Sequence, residues 1–415
     1  MKEPQIIQTQ ICIVGAGPAG ATASIFLGKM GIPHVVVDAS EFPRDKVCGD
    51  GLDLNVIRVL NHMDPHIIKN ELGNQDAFTP SMGLQFILHD GKKVPIALDA
   101  GKLASDIEKR PLFYVSKRDH FDNLLVRQIN IKVATLLLGT RIQNISRPSG
   151  KWILNGTGKS GPVEIHADFL VGADGDHSVV LRYLGERKID RNHYAGAVRQ
   201  YWKGVKNTHS DGLIEVYFPK HLPFSYFWIF PLPNGEANVG YGMASRYILR
   251  KKVNVRKEFE ELIANDPHLK PRFKDAAPME TVKGWGVPMS GLNRKAHGDG
   301  YLLLGDAASL VCPSSGEGIG SGMLSGFTAS KFIQRAVEKN DFSETMFANF
   351  DREVHKRLRR EEKMYAFANR FPGWFFSSGV NAILGSRIFQ HWMSQKEMMK
   401  WVDTAYNKPL KVELD

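Results

Sequence analysis

The sequence predicts an α/β protein: a parallel sheet with flanking helices, joined to an antiparallel-sheet domain and a helical C-terminal region. Three observations lead there. Near the start, a short apolar strand runs into a glycine turn and a helix; aromatic and β-branched runs with turn signals fill residues 190–290; helical spacing takes over from residue 341. The two kinds of sheet interleave along the chain, so discontinuous domains are expected. Residues 1–75, 112–187 and 296–340 are assigned to the parallel part, 76–111 and 188–295 to the antiparallel part, and 341–415 to the helical region.

Taken in order, QICIV at 10–14 is the first strand, GAGPAG the turn and ATASIFLGKMG the helix, with PHVVVDA (33–39) as the next buried strand. Strand, turn, helix and strand in that order open a βαβ unit. Residues 53–63 and 118–130 read as helices, 76–111 as irregular and strand-like, and 131–172 as successive strands ending in HADFLVGADG. The segment NGTGKS (155–160) imitates a phosphate loop. Ile153 stands where that loop needs its first glycine, and the segment joins two strands, so it reads as a hairpin turn. YLLLGDAASL (301–310) is another buried strand leading into a glycine-rich turn and a helix. There is no fixed-period repeat and no low-complexity segment.

Composition bounds the rest. With 415 residues, 43% hydrophobic and 24% charged, the chain is an ordinary globular protein with room for a large core. Three cysteines are too few for a disulfide framework, and the odd count leaves a free thiol, which favours a reducing compartment. No apolar run reaches about 18 residues, and the N-terminus has no signal-peptide pattern. A cytoplasmic protein is expected, with peripheral contact to the inner face of a membrane left open. The net charge of +10 is concentrated in RYILRKKVNVRKEFEE (246–261) and HKRLRREEK (355–363). These runs read first as solvated helix faces and second as contacts for an anionic membrane surface. No nucleic-acid motif is visible, no metal site is expected, and nothing bears on oligomeric state.

Gly15-Ala16-Gly17-Pro18-Ala19-Gly20 fits G-x-G-x-x-G after a strand and at the start of a helix. The first glycine allows the tight turn, the second lets backbone approach a pyrophosphate, and the third lets helix and strand pack closely. A phosphate would rest on the unpaired N–H groups of the helix N-terminus. Asp38, followed by Ala39, ends the next strand at the position where an acid accepts ribose hydroxyls. Together these predict a Rossmann-like dinucleotide-binding domain.

Two later segments sharpen this. Leu170-Val171-Gly172-Ala173-Asp174-Gly175 is a middle "DG" segment, and Leu304-Gly305-Asp306-Ala307-Ala308, followed by Pro313, Gly316, Gly318 and Ile319, is a late "GD" segment. Each alone could be ordinary: Asp306 a helix cap, Gly316 and Gly318 a plain turn. In order, they make the chain resemble the FAD-dependent oxidoreductases of the aromatic-hydroxylase type. The resemblance implies FAD as cofactor, with Gly305 and Asp306 at its ribityl chain and the loop Pro313–Ile319 beside it. It also implies that Asp174 and Gly175 line the groove shared with a nicotinamide nucleotide. Arg118, spaced R-x-x-x-D with Asp122, would lie against FAD. One departure is visible: Ser178-Val179-Val180-Leu181-Arg182 is a residue longer than the usual S-x-V-R, so no role passes to Arg182.

Within that superfamily the sequence is most similar to the geranylgeranyl reductase group. PRDKVCGDGL (43–52) resembles P-R-x-K-x-C-G-x-G-L. GDAASLVCPSSGEGI resembles G-D-A-A-G-x-x-x-P-x-x-G-E-G-I, with Ser309 for a glycine. Tyr226-Phe227-Trp228-Ile229-Phe230-Pro231 fits Y-x-W-x-F-P and is followed by NGEANVGYG. Strand alternation puts Tyr226, Trp228 and Phe230 on one face, which suits a core strand or a pocket wall. The resemblance implies the wall, facing the flavin, with Tyr226, Trp228, Phe230 and Pro231 at the substrate.

The activity so implied is reduction of C=C bonds in an isoprenoid lipid, with hydride delivered to one carbon and a proton to the other. Cys48, Tyr226 and Trp228 are the catalytic candidates: Cys48 or Tyr226 as proton donor, Trp228 with Phe230 shaping an apolar slot and stabilising developing positive charge. Arg44, Cys48 and Gly49 are expected on the flavin side, although a free cysteine in a tight bend also packs as a small hydrophobe. A hydroxylase or halogenase on the same scaffold is the first alternative; halogenases carry W-x-W-x-I-P, from which Tyr226 and Phe230 depart. A flavin-bound electron-transfer protein is the second. With one Rossmann fingerprint, NAD(P)H would bind transiently, and ferredoxin or a quinol could replace it as electron donor. MYAFANRFPGWFFSS (364–378) reads as a packed helix pair or as a lipid-access rim.

Overall fold

The first strand, β1, spans Gln5–Val14 and so begins earlier than its apolar stretch. Its polar half is held by backbone pairing, because β1 runs parallel to Gly161–Gly172 from Gln5 through Val14. In this computed structural model, the structure describes residues 3–98, 110–186, 189–291, 294–371, 379, 382–386, 389, 393 and 395–414. The turn after β1 leads into α1 (Pro18–Lys29), with proline at its first turn, where the missing N–H costs nothing. The next strand, β2 (His34–Val37), is wholly buried, as a strand covered on both faces must be.

These strands form the centre of a parallel sheet in the order Tyr301–Leu303, Gly161–Gly172, β1, β2, Ala134–Leu137. An antiparallel meander, Arg141–Ser146 and Trp152–Gly158, attaches beside Gly161–Gly172. Thr157 pairs with Pro162 and Gly158 with Gly161, so the NGTGKS segment is the expected hairpin. The helix Ile319–Lys339 packs on α1 through small residues: a Cβ on Gly326 would lie 2.3 Å from the Ala19 carbonyl oxygen.

The second sheet is largely antiparallel, in the order Ala277–Pro278, Tyr194–Lys203, Glu236–Ala244, Ser225–Pro231, Ile214–Tyr217, Gly83–Ile87, Lys93–Ala97, with Lys283–Pro288 also paired to Tyr194–Lys203. A small third sheet joins Gly51–Leu52, Phe113–Val115 and Thr79–Ser81. The chain thus crosses towards the large antiparallel sheet only after Ser81. In the tail, helices Phe350–His355, Arg359–Ala368 and Gln395–Asn407 are described, and the last packs on Leu54–Met63 through Asn61 Nδ2 donating to the Tyr406 carbonyl at 2.6 Å. Parts of the predicted spans, 99–109 and 372–378, lie outside the described residues. Among those described, no helix is long and apolar enough to cross a membrane.

Candidate active site

The glycine turn after β1 divides by role. Gly15 has φ +104°, and a Cβ there would lie 2.3 Å from the Ala173 carbonyl oxygen; a Cβ on Gly20 would lie 1.9 Å from the Gly15 oxygen. Both glycines are demanded by the fold. Gly17 is not: a Cβ there would meet only Arg44 Nη2, at 3.6 Å. Gly17 is also the residue before α1, and no side chain caps that helix, so its first N–H groups point outward unclaimed. Asp38 closes the rear of this cradle, its carboxylate accepting from Ala16 N and Ser40 N, each at 2.7 Å.

Beside the cradle lies the loop 43–52. Arg44 Nη2 reaches Asp122 Oδ2 at 3.1 Å, and Arg118 holds the same carboxylate through both oxygens at 2.7 and 2.8 Å. Arg44 Nη1 is buried with no partner in the protein. The Arg118 guanidinium also reaches the Cys48 thiol. Lys46 lies 3.5 Å above the Trp285 ring centre; burial brings its ammonium down to about 8, while the Asp306 charge pushes the other way. Burial raises the Asp306 carboxyl above the usual range, opposed by Lys46 and Arg118. Cations of the 43–52 loop therefore face the "GD" turn across the site.

That turn, Gly305–Ala308, ends at Ser309 with φ +56° and ψ +52°. Ser309 thus sits in the left-handed region, which explains why glycine is usual there in the similar motif. Asp174 Oδ2 accepts from Val179 N at 2.6 Å, in the first turn of the helix Val179–Tyr183 whose N-cap is Ser178, while its Oδ1 is buried with no partner in the protein. Gly175, at φ +76°, has open space beside it. Gly318 precedes the helix Ile319–Lys339, whose first turn is held by Glu317, its carboxylate accepting from Gly320 N. Gly316 lies under the Tyr226 hydroxyl, 2.6 Å from where its Cβ would be.

The aromatic strand, Ser225–Pro231, presents Tyr226, Trp228 and Phe230 in sequence, with ring centres 5.8 and 6.3 Å apart. Cβ atoms on Gly49 and Gly51 would each lie 3.4 Å from the Phe230 ring, and Gly49 also 3.8 Å from Trp228. The loop carrying Cys48 therefore lies directly against the aromatic face. Tyr226 donates to the Ser315 carbonyl at 2.8 Å and is pushed up to about 12, mainly by burial and then by the charges of Cys312 and Cys48. Its phenol stays protonated at neutral pH. The cradle, the 43–52 loop, the "GD" turn and the aromatic strand thus meet at the carboxyl ends of the parallel strands, the usual ligand position in α/β sheets.

A family model described as an FAD binding domain matches residues 8–360. The chain belongs to the FAD-binding, geranylgeranyl-reductase-like family of FAD-dependent oxidoreductases. It is 26% identical over 360 residues to a digeranylgeranylglycerophospholipid reductase of Thermoplasma volcanium, covering 85% of this chain and 84% of that one. It is 29% identical to a menaquinone reductase of Mycobacterium tuberculosis, over 78% and 76% of the two chains. Among solved structures it is similar to a geranylgeranyl bacteriochlorophyll reductase-like protein of Thermoplasma acidophilum, with TM-score 0.74, 24% identity and coverage of 98% and 93%. A triple mutant of a flavin-dependent brominase gives TM-score 0.75 at 18% identity over 96% and 95%, a likeness of fold.

The residues of this FAD-dependent oxidoreductase fit the cofactor. The free space at Gly17, the uncapped N-terminus of α1 and the unpartnered Arg44 Nη1 all suit a pyrophosphate. The motif reading overlooked residues that build the far wall: Lys46, Asp50, Tyr201, Asn238 and Trp285. Asp50 and Lys46 lie inside the quoted PRDKVCGDGL and Asn238 inside NGEANVGYG, so their neighbours carried a signal. Tyr201 and Trp285 lie in strands with no motif, and only the sheet pairing brings them here.

Proposed function

We propose that this oxidoreductase reduces carbon–carbon double bonds of an isoprenoid lipid. The observation that carries the reading is the Tyr226–Trp228–Phe230 face packed against the Cys48 loop at the end of the FAD cradle. An apolar chain needs such a wall, and a polar aromatic acid would need cations or donors in its place. The relative named digeranylgeranylglycerophospholipid reductase supports a geranylgeranyl-bearing lipid as the substrate class. Bound FAD supplies a hydride from its reduced ring. The chain's own residues do the rest: Trp228 and Phe230 hold the alkene and exclude water, while Tyr226, protonated across the neutral range, or the Cys48 thiol carries the proton. Arg44, Arg118 and the Asp306 turn bind and orient the cofactor.

A nicotinamide nucleotide or a ferredoxin, bound transiently, is the electron donor in this reading. Peripheral contact with a membrane would deliver the lipid; Met364 and Phe367 are 54% and 59% exposed on the helix that also carries Arg359 and Lys363. The test is direct. Chemically reduced holoenzyme is mixed anaerobically with a geranylgeranyl lipid in detergent, and the lipid is weighed by mass spectrometry. Gain of two hydrogens per double bond, with flavin reoxidation, is expected. No mass gain, together with rapid substrate-dependent oxygen uptake in air, would assign the site to hydroxylation or halogenation instead.

A further inference from the structure

A chain of fully buried polar groups ties the Cys48 loop to the aromatic strand. Trp228 Nε1 donates to Asn238 Oδ1 at 2.8 Å, which fixes the orientation of the Asn238 amide. Asn238 Nδ2 then donates to the Cys48 carbonyl at 2.8 Å and to Asp50 Oδ2 at 2.7 Å. Asp50 Oδ2 also accepts from the Tyr201 hydroxyl at 2.7 Å. Asp50 and Asn238 are both at 0% exposure, and Asp50 Oδ1 has no partner in the protein. Asp50 is further held at φ +66°, a conformation uncommon for a side-chain-bearing residue, by Ser116 N donating to its carbonyl at 3.1 Å. Such a network is costly to bury and stable only when its members are paired.

We propose that Asp50 and Asn238 are positioning residues: they set the Trp228 indole and the Cys48 backbone in one geometry, and ionisation of Asp50 tightens that geometry. The inference rests on the reductase reading for its turnover arm only. The ionised carboxylate accepts the Tyr201 and Asn238 donors as charge-assisted bonds, stronger than those to the neutral acid. Burial raises the Asp50 carboxyl to about 7, and the groups that oppose this are Tyr201 and Arg199 from one strand, Asn238 from the next, and Arg118 from the helix Arg118–Arg127. Lys117, paired with Glu236 at 2.7 Å, lies 4.9 Å from the Tyr201 ring centre on the same side. The strap is therefore loose below the midpoint and tight above it.

The experiment is a pH titration of the oxidised holoenzyme from pH 5 to 9, followed by flavin absorbance, which needs no substrate. Wild type is expected to show a midpoint near 7, distinct from that of Lys46 near 8. Asp50→Asn keeps an oxygen acceptor and is expected to retain FAD but lose that midpoint. Tyr201→Phe removes a donor to the ionised form and is expected to move the midpoint upward. In turnover with a geranylgeranyl lipid, Asn238→Leu is expected to lower kcat about 10–100-fold, the scale of a small misplacement of reacting groups, with KM changed much less. An unchanged midpoint in Asp50→Asn overturns the proposal, as does kcat in Asn238→Leu within about twofold of wild type, well short of that range. If no lipid is reduced while Asp50→Asn still abolishes the midpoint, the strap stands and the substrate assignment fails.

Discussion

Gly17 sits at φ −67° and ψ −178°, a backbone conformation open to any residue, and its missing Cβ would touch only an arginine tip. Nothing within the chain forbids a larger residue there, whereas Gly15 and Gly20 are hemmed in by backbone atoms. Gly17→Val is therefore expected to fold with near-normal thermal stability and to lose bound FAD; the flavin-to-protein absorbance ratio after desalting checks this. Full flavin occupancy would contradict the cradle assignment. At this scale the G-x-G-x-x-G pattern was legible because Gly15 and Gly20 each have a local geometric cause, while Gly17 leaves room for a ligand. Asp50 and Asn238 were not legible, since their significance lies in each other, 188 positions apart in the chain.

The aromatic strand was readable as an alternating face, but what holds its rings is on the neighbouring strand. In Glu236–Ala244, a Cβ on Gly240 would lie 2.0 Å from Trp228 Cζ2, so the indole lies flat across that glycine. Gly240→Ala is expected to displace Trp228 and cost about 1–3 kcal/mol, the usual cost of overpacking. Chemical denaturation measures the loss, and retention of FAD would separate it from damage to the cradle. The hairpin at NGTGKS followed from turn chemistry and the helix over 53–63 was read directly from the sequence; Asp53 accepts from Asn55 N and Val56 N at its start. The polar start of β1 did not, because its strand character comes from the partner Gly161–Gly172.

On the scale of the molecule, the loops that frame the site meet at a buried acidic pair, Glu317 and Asp53. Glu317 receives Gly320 N and, at 3.1 Å, the Ser321 hydroxyl, and it faces Asp53 at the head of Leu54–Met63. Burial and then the Asp53 charge raise Glu317 from 4.5 to about 8. The native state therefore binds more protons than the unfolded chain between those values, and this pair's contribution to stability falls as pH rises from 4.5 to about 8. Glu317→Gln removes that dependence. Its thermal midpoint is expected to gain on wild type as pH rises across that window, by several degrees in calorimetry; parallel curves for the two proteins would exclude the effect.

By itself, the sequence determined the α/β class and the family, because each rests on short-range geometry or contiguous motif spacing. It also placed Tyr226, Trp228 and Phe230 on one face, since strand alternation is a local property. Only the tertiary structure decided what that face meets. Phe230 and Trp228 pack on Gly49, Phe230 also on Gly51, and Asn238 joins the aromatic strand to the Cys48 loop. The physical reason is that these contacts cross between sheets whose strands are far apart in sequence, and hydrogen-bond direction and burial exist only once both sheets are folded together.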